Sequence, residues 1–308
     1  MSIINPQAPS SVIMIRPHHF HSNPETLADN SFQTTELTQS PEHIAEMAYK
    51  EISQAQVILE SHDIKVHMFE DESTQTPDSV FPNNWFSTHS GGHIAIYPMY
   101  AQNRRLERRS DIIDMLKQSY RVQDIVDYSG LEQDHIYLEG TGAMVLDHLD
   151  RVAYAVQSKR ANSLALERFC THFNYEPMLF DASNSAGESV YHTNVLMCIA
   201  TEFVLMAPSM ITNTPRREEI IQRFQASGRD VIELSEAQIS HFCGNAIELK
   251  SSNGRILALS TTAYNALTTE QSKLIEKSAK LVPIDVSTIE LAGGSIRCMI
   301  AGIHLSPR

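Results

Sequence analysis

One pattern recurs along this chain: a small residue, a short apolar strand, a turn, a second apolar strand and a polar exit. It begins at Asn84, Gly142, Asn194 and Asn245, with "NWFSTHSGGHIAIYPMYAQNR", "GAMVLDHLDRVAYAVQSKRAN", "NVLMCIATEFVLMAPSMITN" and "NAIELKSSNGRILALSTTAYNAL". The starts lie 58, 52 and 51 positions apart, and a further 53 leads to Cys298. Helical stretches fall between the units: "RRSDIIDMLKQSY", "SLALERFCTHF", "REEIIQRFQASG" and "TTEQSKLIEKSAK". A unit this small cannot bury its apolar face alone, so the period predicts a stacked or closed array of ββα units. The last unit, "CMIAGIHL", has one strand, and the first strand of the chain, "SSVIMIRP", has no partner before it. Together they would complete a fifth unit. No linker or low-complexity tract divides the chain, which predicts a single domain over residues 1–308.

Radial packing of such units would bring the starts of their first strands to one axis. Glu139, His192, Asn245 and Cys298 follow one another at intervals of 53, with Asn83, Asn84 and Asn194 beside equivalent starts. A carboxylate, an imidazole, amides and a thiol would then share a pocket. A cysteine with a histidine and a carboxylate from separate parts of a chain is the set for nucleophilic catalysis. Gly293 and Gly294 allow close backbone approach at Cys298, and Arg297 is a cation that would help hold a thiolate. Cys170 and Cys198 read as core thiols, while Cys243, next to Gly244, stays undecided. Glu139 closes the apolar "HIYLEGTG" and needs a partner there; "GTG" lacks the remainder of a phosphate loop.

The net charge of −13 argues against a nucleic-acid surface. The basic run "NRRLERR" reads as the solvated start of a helix, and "RPHHFH" (His18, His19, His21) as a solvated loop without the partners a metal site needs. Four cysteines show neither disulfide density nor zinc spacing, no cofactor or metal is implied, and no run is long enough to span a membrane. The N-terminal stretch "MSIINPQAPSSVIMIRP" lacks the pattern of a leader, so a soluble, cytoplasmic protein is expected. The polar "EDESTQTPDS" (70–79) suits a mobile loop at the pocket mouth. A homo-oligomer is compatible with the sequence.

In order and phase, "IMIRP", "TPDSVFPNNWFSTH", "YLEGTGAMV", "QSKRAN", "YHTN", "FCGNAIEL" and "GGSIRCM" resemble the pentein superfamily of guanidine-modifying enzymes. "FPNNWFSTH" looks most like its amidinotransferase-like group, which includes citrulline-utilisation hydrolases. The resemblance implies a five-bladed α/β propeller of pseudo-fivefold symmetry. It also implies that Cys298 is the nucleophile, His192 the general acid/base and Glu139 the carboxylate holding the substrate's terminal nitrogens. Arg160 matches an arginine that binds the amino-acid carboxylate, and Asp78 an acidic substrate contact. The substrate class it implies is a free amino acid, with Asn194, Asn245 and Arg297 beside it.

Three departures bear on that substrate. Asn83 and Asn84 stand where relatives carry acidic residues, Thr193 and Asn194 follow His192 where arginine deiminases have H-x-D, and Tyr97 replaces an arginine. A guanidinium calls for carboxylates, whereas a neutral ureido group needs both donors and acceptors. The expected reaction is therefore citrulline to ornithine, carbon dioxide and ammonia through an S-linked intermediate. The alternatives are an arginine deiminase or other guanidino hydrolase, an amidinotransferase, and a propeller that only binds.

Overall fold

The computed structural model describes residues 6–34 and 39–308 of the 308-residue chain. Residues 1–5, part of the stretch expected to lack a leader, lie outside the described residues. The chain forms five three-stranded sheets with helices between their strands. β1 (Ser11–Pro17) is the middle strand of the first, paired in parallel with β2 (Lys65–Asp71). The next three sheets are β3 (Phe86–His89), β4 (His93–Ile96), β5 (Asp124–Asp127); β6 (Met144–Asp147), β7 (Val152–Val156), β8 (Glu176–Phe180); and β9 (Met197–Ile199), β10 (Phe203–Met206), β11 (Asp230–Glu233). The fifth contains β12 (Ile247–Ser251), β13 (Gly254–Ser260) and β14 (Lys280–Ile284). β15 (Ala301–Gly302) returns to β1 in antiparallel register, Val12 opposite Gly302, so the first and last strands share a sheet.

Every sheet has one order: an antiparallel pair, then a third strand parallel to the middle one. The sequence units read as ββα are thus ββαβ. The middle strands are continuous apolar runs buried on both faces, as "VAYAV" of β7 is. The third strands are short and half exposed, as "DIVD" of β5 is, and carry little hydrophobic signal. Helices at Ser110–Ser119, Ser163–Phe173 and Thr214–Ala226 follow the middle strands of their units. The run "NRRLERR" corrects an expectation: Asn103–Glu107 form a 3-10 turn with Arg104 buried, and the helix begins only at Ser110.

Each first strand is preceded by a tight turn, and these turns position the site. Pro82–Asn84 is a 3-10 turn; Gly140–Ala143, Thr193–Leu196 and Ile296–Met299 are single helical turns. The turns are bonded to one another. Thr141 Oγ1 donates to Asn83 O at 3.3 Å, Thr193 Oγ1 to Ala143 O at 2.5 Å, and Asn245 Nδ2 to Asn194 O at 3.0 Å. Asn245 Oδ1 in turn accepts from Arg297 N at 3.0 Å. "EGTGAM" now has a physical reason: a Cβ on Gly142 would overlap Asn84 Nδ2 and stand 2.9 Å from His192 Nδ1. The glycine serves close approach of turns.

Candidate active site

Cys298, His192, Asn84, Asp78 and Arg160 line one tight cavity of about 10 Å³, with Arg104 among them. Cys298 Sγ accepts from Asn194 Nδ2 and Asn245 Nδ2, each at 3.2 Å. Two amide donors thus converge on one sulfur and fix its position. His192 Nε2 lies 2.8 Å from Glu139 Oε2. Burial lowers the imidazole to a pKa of about 4 despite that carboxylate, so the ring is neutral and Nε2–H donates to Glu139. Nδ1 is left as the basic nitrogen on a ring whose orientation is fixed.

Glu139 is fully buried, which by itself would raise its pKa; Arg160, the His192 hydrogen bond and Arg104 outweigh burial and hold it well below the usual carboxylate range. Arg160 Nη1 is 3.6 Å and Arg104 Nη1 3.8 Å from its Oε2, and Tyr100 N donates to Oε1 at 3.0 Å. Burial pushes the Asp78 carboxyl upward against the pull of Arg104, 3.7 Å away. Asp78 Oδ2 accepts from Asn23 Nδ2 at 2.8 Å, whereas Oδ1 is buried with no partner. Arg160 Nε is unpartnered too, as is Oδ1 of Asn194, which does not itself line the cavity. Buried polar atoms are normally satisfied, and this cluster of unmet donors and acceptors suits a polar ligand.

The sequence did not single out Arg104. Its guanidinium makes a bidentate pair with Glu107, at 2.9 Å on each arm, and donates to Asn84 Oδ1 at 2.8 Å. The only signal was Glu107 three residues on, inside an otherwise basic run. Asp29 was missed as well: its Oδ1 meets Arg160 Nη2 at 2.6 Å, where a substrate carboxylate was expected. Thr26 and Asn30 also line the cavity, so the 22–34 segment covers it as well as the 70–79 loop, whose Thr76, Asp78 and Ser79 are buried.

Other expected positions fall elsewhere. Asn83 stands behind Asn84, accepting from its Nδ2 at 3.0 Å, and does not line the cavity. Arg297 lines a different cavity altogether. Tyr97 is in the core, its hydroxyl 2.6 Å from Ser87 Oγ, so it takes no part at a substrate's carboxylate end. Cys243 is a core thiol that donates to Ala263 O and is pushed up to about 12 by burial. His18 pairs with Glu70 at 3.0 Å, and among the described residues no group of three or more His, Cys, Asp or Glu could hold a metal. No described helix is long and apolar enough to cross a membrane.

A buried thiol and a carboxylate-held imidazole, carried on the turns that open successive sheets, are the arrangement of the pentein superfamily of guanidino-modifying enzymes. The chain is a hydrolase acting on linear C–N bonds. A family model described as N,N dimethylarginine dimethylhydrolase, eukaryotic, matches residues 16–305, and the chain belongs to that family. No curated protein sequence matches it. Among solved structures it resembles the N-terminal domain of ArgZ, an arginine dihydrolase from the ornithine-ammonia cycle in cyanobacteria, as a cysteine-to-serine mutant bound to substrate. The TM-score is 0.72 at 18% identity, covering 95% of this chain and 97% of that one. Unliganded AgrE gives 0.75 at 16% identity, with 97% of this chain matching 40% of AgrE. A dimethylarginine dimethylaminohydrolase (DDAH) from Pseudomonas aeruginosa, a cysteine-to-serine mutant complexed with citrulline, gives 0.65 at 14% identity over 96% and 99%.

Proposed function

We propose that this chain is a single-domain, five-bladed α/β propeller that hydrolyses the ureido group of free citrulline to ornithine, carbon dioxide and ammonia. The observation that carries the choice of substrate is Arg104. Its guanidinium lies within 3.8 Å of both Asp78 and Glu139, so the carboxylates that would grip a cationic substrate already share a cation. A neutral ureido group needs mixed donors and acceptors, and two residues that line the cavity leave one of each unmatched: Asp78 Oδ1 and Arg160 Nε. Arg160 receives the amino-acid carboxylate once Asp29 gives way.

In the proposed mechanism Cys298 attacks the ureido carbon as thiolate, its charge held by the amides of Asn194 and Asn245. His192, neutral at rest, takes the thiol proton of Cys298 as the sulfur attacks and passes it to the departing ammonia, leaving an S-carbamoyl thioester to ornithine's δ-nitrogen. Water, deprotonated by His192, then attacks that carbon and expels the thiolate. The resulting carbamate breaks into ornithine and carbon dioxide. One water is consumed per citrulline. Glu139 keeps the imidazole oriented and stabilises its protonated form.

A second reading, hydrolysis of arginine to ornithine through citrulline, is favoured by the two carboxylates themselves and uses one more water and releases one more ammonia. Incubation with citrulline and with arginine, measuring ornithine, citrulline and ammonia, decides. Ornithine from citrulline with arginine untouched supports the ureido hydrolase; ornithine from arginine supports the second reading, and turnover of arginine alone, ending at citrulline, rejects both.

A further inference from the structure

Arg297 is the cation next to Cys298 that the pocket does not use. Its Nη1 donates to Ile300 O at 3.1 Å, and among the described residues no carboxylate pairs with its guanidinium; Cys198, His148 and His304 share its cavity. Burial pushes Cys198 up to about 12, so that thiol is no counter-ion. Arg297 is only partly buried, so its guanidinium is open to the cavity it lines, and an anion there would supply the counter-charge it lacks.

The space for one is present. Arg297 lines a cavity of about 50 Å³ with Ser87, Thr88, His148, Cys198 and His304. Since one water needs ~10–15 Å³ by this measure, the cavity holds a small polyatomic ion. Glu248 also lines it, but its Oε2 accepts from Thr201 Oγ1 at 2.6 Å and its Oε1 lies 3.3 Å from Arg255 Nε. Its charge is thus balanced away from Arg297. His148, His304 and Pro9 also line a vestibule of about 400 Å³, which reaches Ser90 and Ser252 at the far ends of the first strands. The way in is therefore from the opposite end of those strands to Cys298.

We propose that this chamber binds a small planar oxyanion on the Arg297 guanidinium, entering between His148 and His304 from the face opposite the substrate pocket. The planar fork of arginine matches two oxygens of such an ion.

Thermal melting of the full chain in rising sodium nitrate, with sodium gluconate holding ionic strength constant, tests the proposal without reading turnover. A saturable rise in Tm is expected for the wild type, Cys298→Ala and Arg160→Gln, a weaker one for Arg297→Lys, and none for Arg297→Gln. If Arg297→Gln does not fold, His304→Trp, which fills the entrance, is expected to abolish the response. No saturable rise in the wild type, a rise that survives Arg297→Gln or His304→Trp, or its loss in Arg160→Gln would overturn the proposal.

Discussion

Asn194 Nδ2 lies 3.2 Å from Cys298 Sγ, and this is the one hydrogen bond that the Asn194 side chain makes among the described residues. Asn245, by contrast, also ties the turns together. Asn194→Ala therefore isolates the effect on sulfur. A hydrogen bond to a charged group contributes about 1.5–3 kcal/mol, so attack by the sulfur is expected to slow by roughly 10- to 150-fold. The rate of Cys298 alkylation at fixed pH checks it, and an unchanged rate in the variant would remove the role given to Asn194.

Cys298→Ser is expected to abolish turnover with the melting temperature within a few degrees of the wild type, since the side chain is nearly isosteric. Retained turnover in that variant would remove the proposed nucleophile.

Glu139→Gln leaves Arg160 and Arg104 without the carboxylate they share and His192 without its anionic acceptor. Removing one partner from a buried charged cluster costs about 3–5 kcal/mol. Urea unfolding should show a loss of this size, alongside a fall in kcat. A variant as stable as the wild type would mean that the two arginines are balanced by Asp78, Glu107 and Asp29 alone.

Acid is expected to destabilise the chain well above the carboxylate range. Burial lowers the pKa of His89, His148, His192 and His304, the last two to about 4. Their folded pKa values lie below the unfolded value near 6.5, so the unfolded chain takes up protons first as pH falls. Stability present above pH 6.5 is lost as pH drops toward about 4, at up to about 1.4 kcal/mol per pH unit for each ring. Urea midpoints at pH 7.5, 6 and 5 should decline, and His304→Gln should decline less steeply.

Gly142→Ala tests the contact between turns. Its new methyl would overlap Asn84 Nδ2 and press on His192 Nδ1, an overpacking that costs about 1–3 kcal/mol and displaces two pocket residues. The expected result is a lower melting temperature with a disproportionate loss of kcat. Loss of stability alone would show that the turns move together without disturbing His192.

The period of the chain was legible because the first two strands of every sheet are buried and apolar, and burial writes itself into sequence. The 53-residue phase likewise brought Glu139, His192, Asn245 and Cys298 into register, and these side chains meet: His192 with Glu139 and Asn245 with Cys298. The third strands were silent because edge strands such as "DVIE" of β11 alternate little and lie half in water. Arg104 and Asp29 were hidden for a different reason. A charge inside a polar run looks solvated until tertiary structure supplies its partner, and here Glu107 and Arg160 do so.

The pairing of β15 with β1 sets when reactivity arises during folding. The turn that carries Cys298 leads directly into β15, whose Gly302 pairs with Val12, a contact between strands from opposite ends of the described chain. Such long-range closures are slow and come after local structure, because their loop entropy must be overcome first. Cys298 is therefore expected to meet the amides of Asn194 and Asn245 late, as the last sheet assembles.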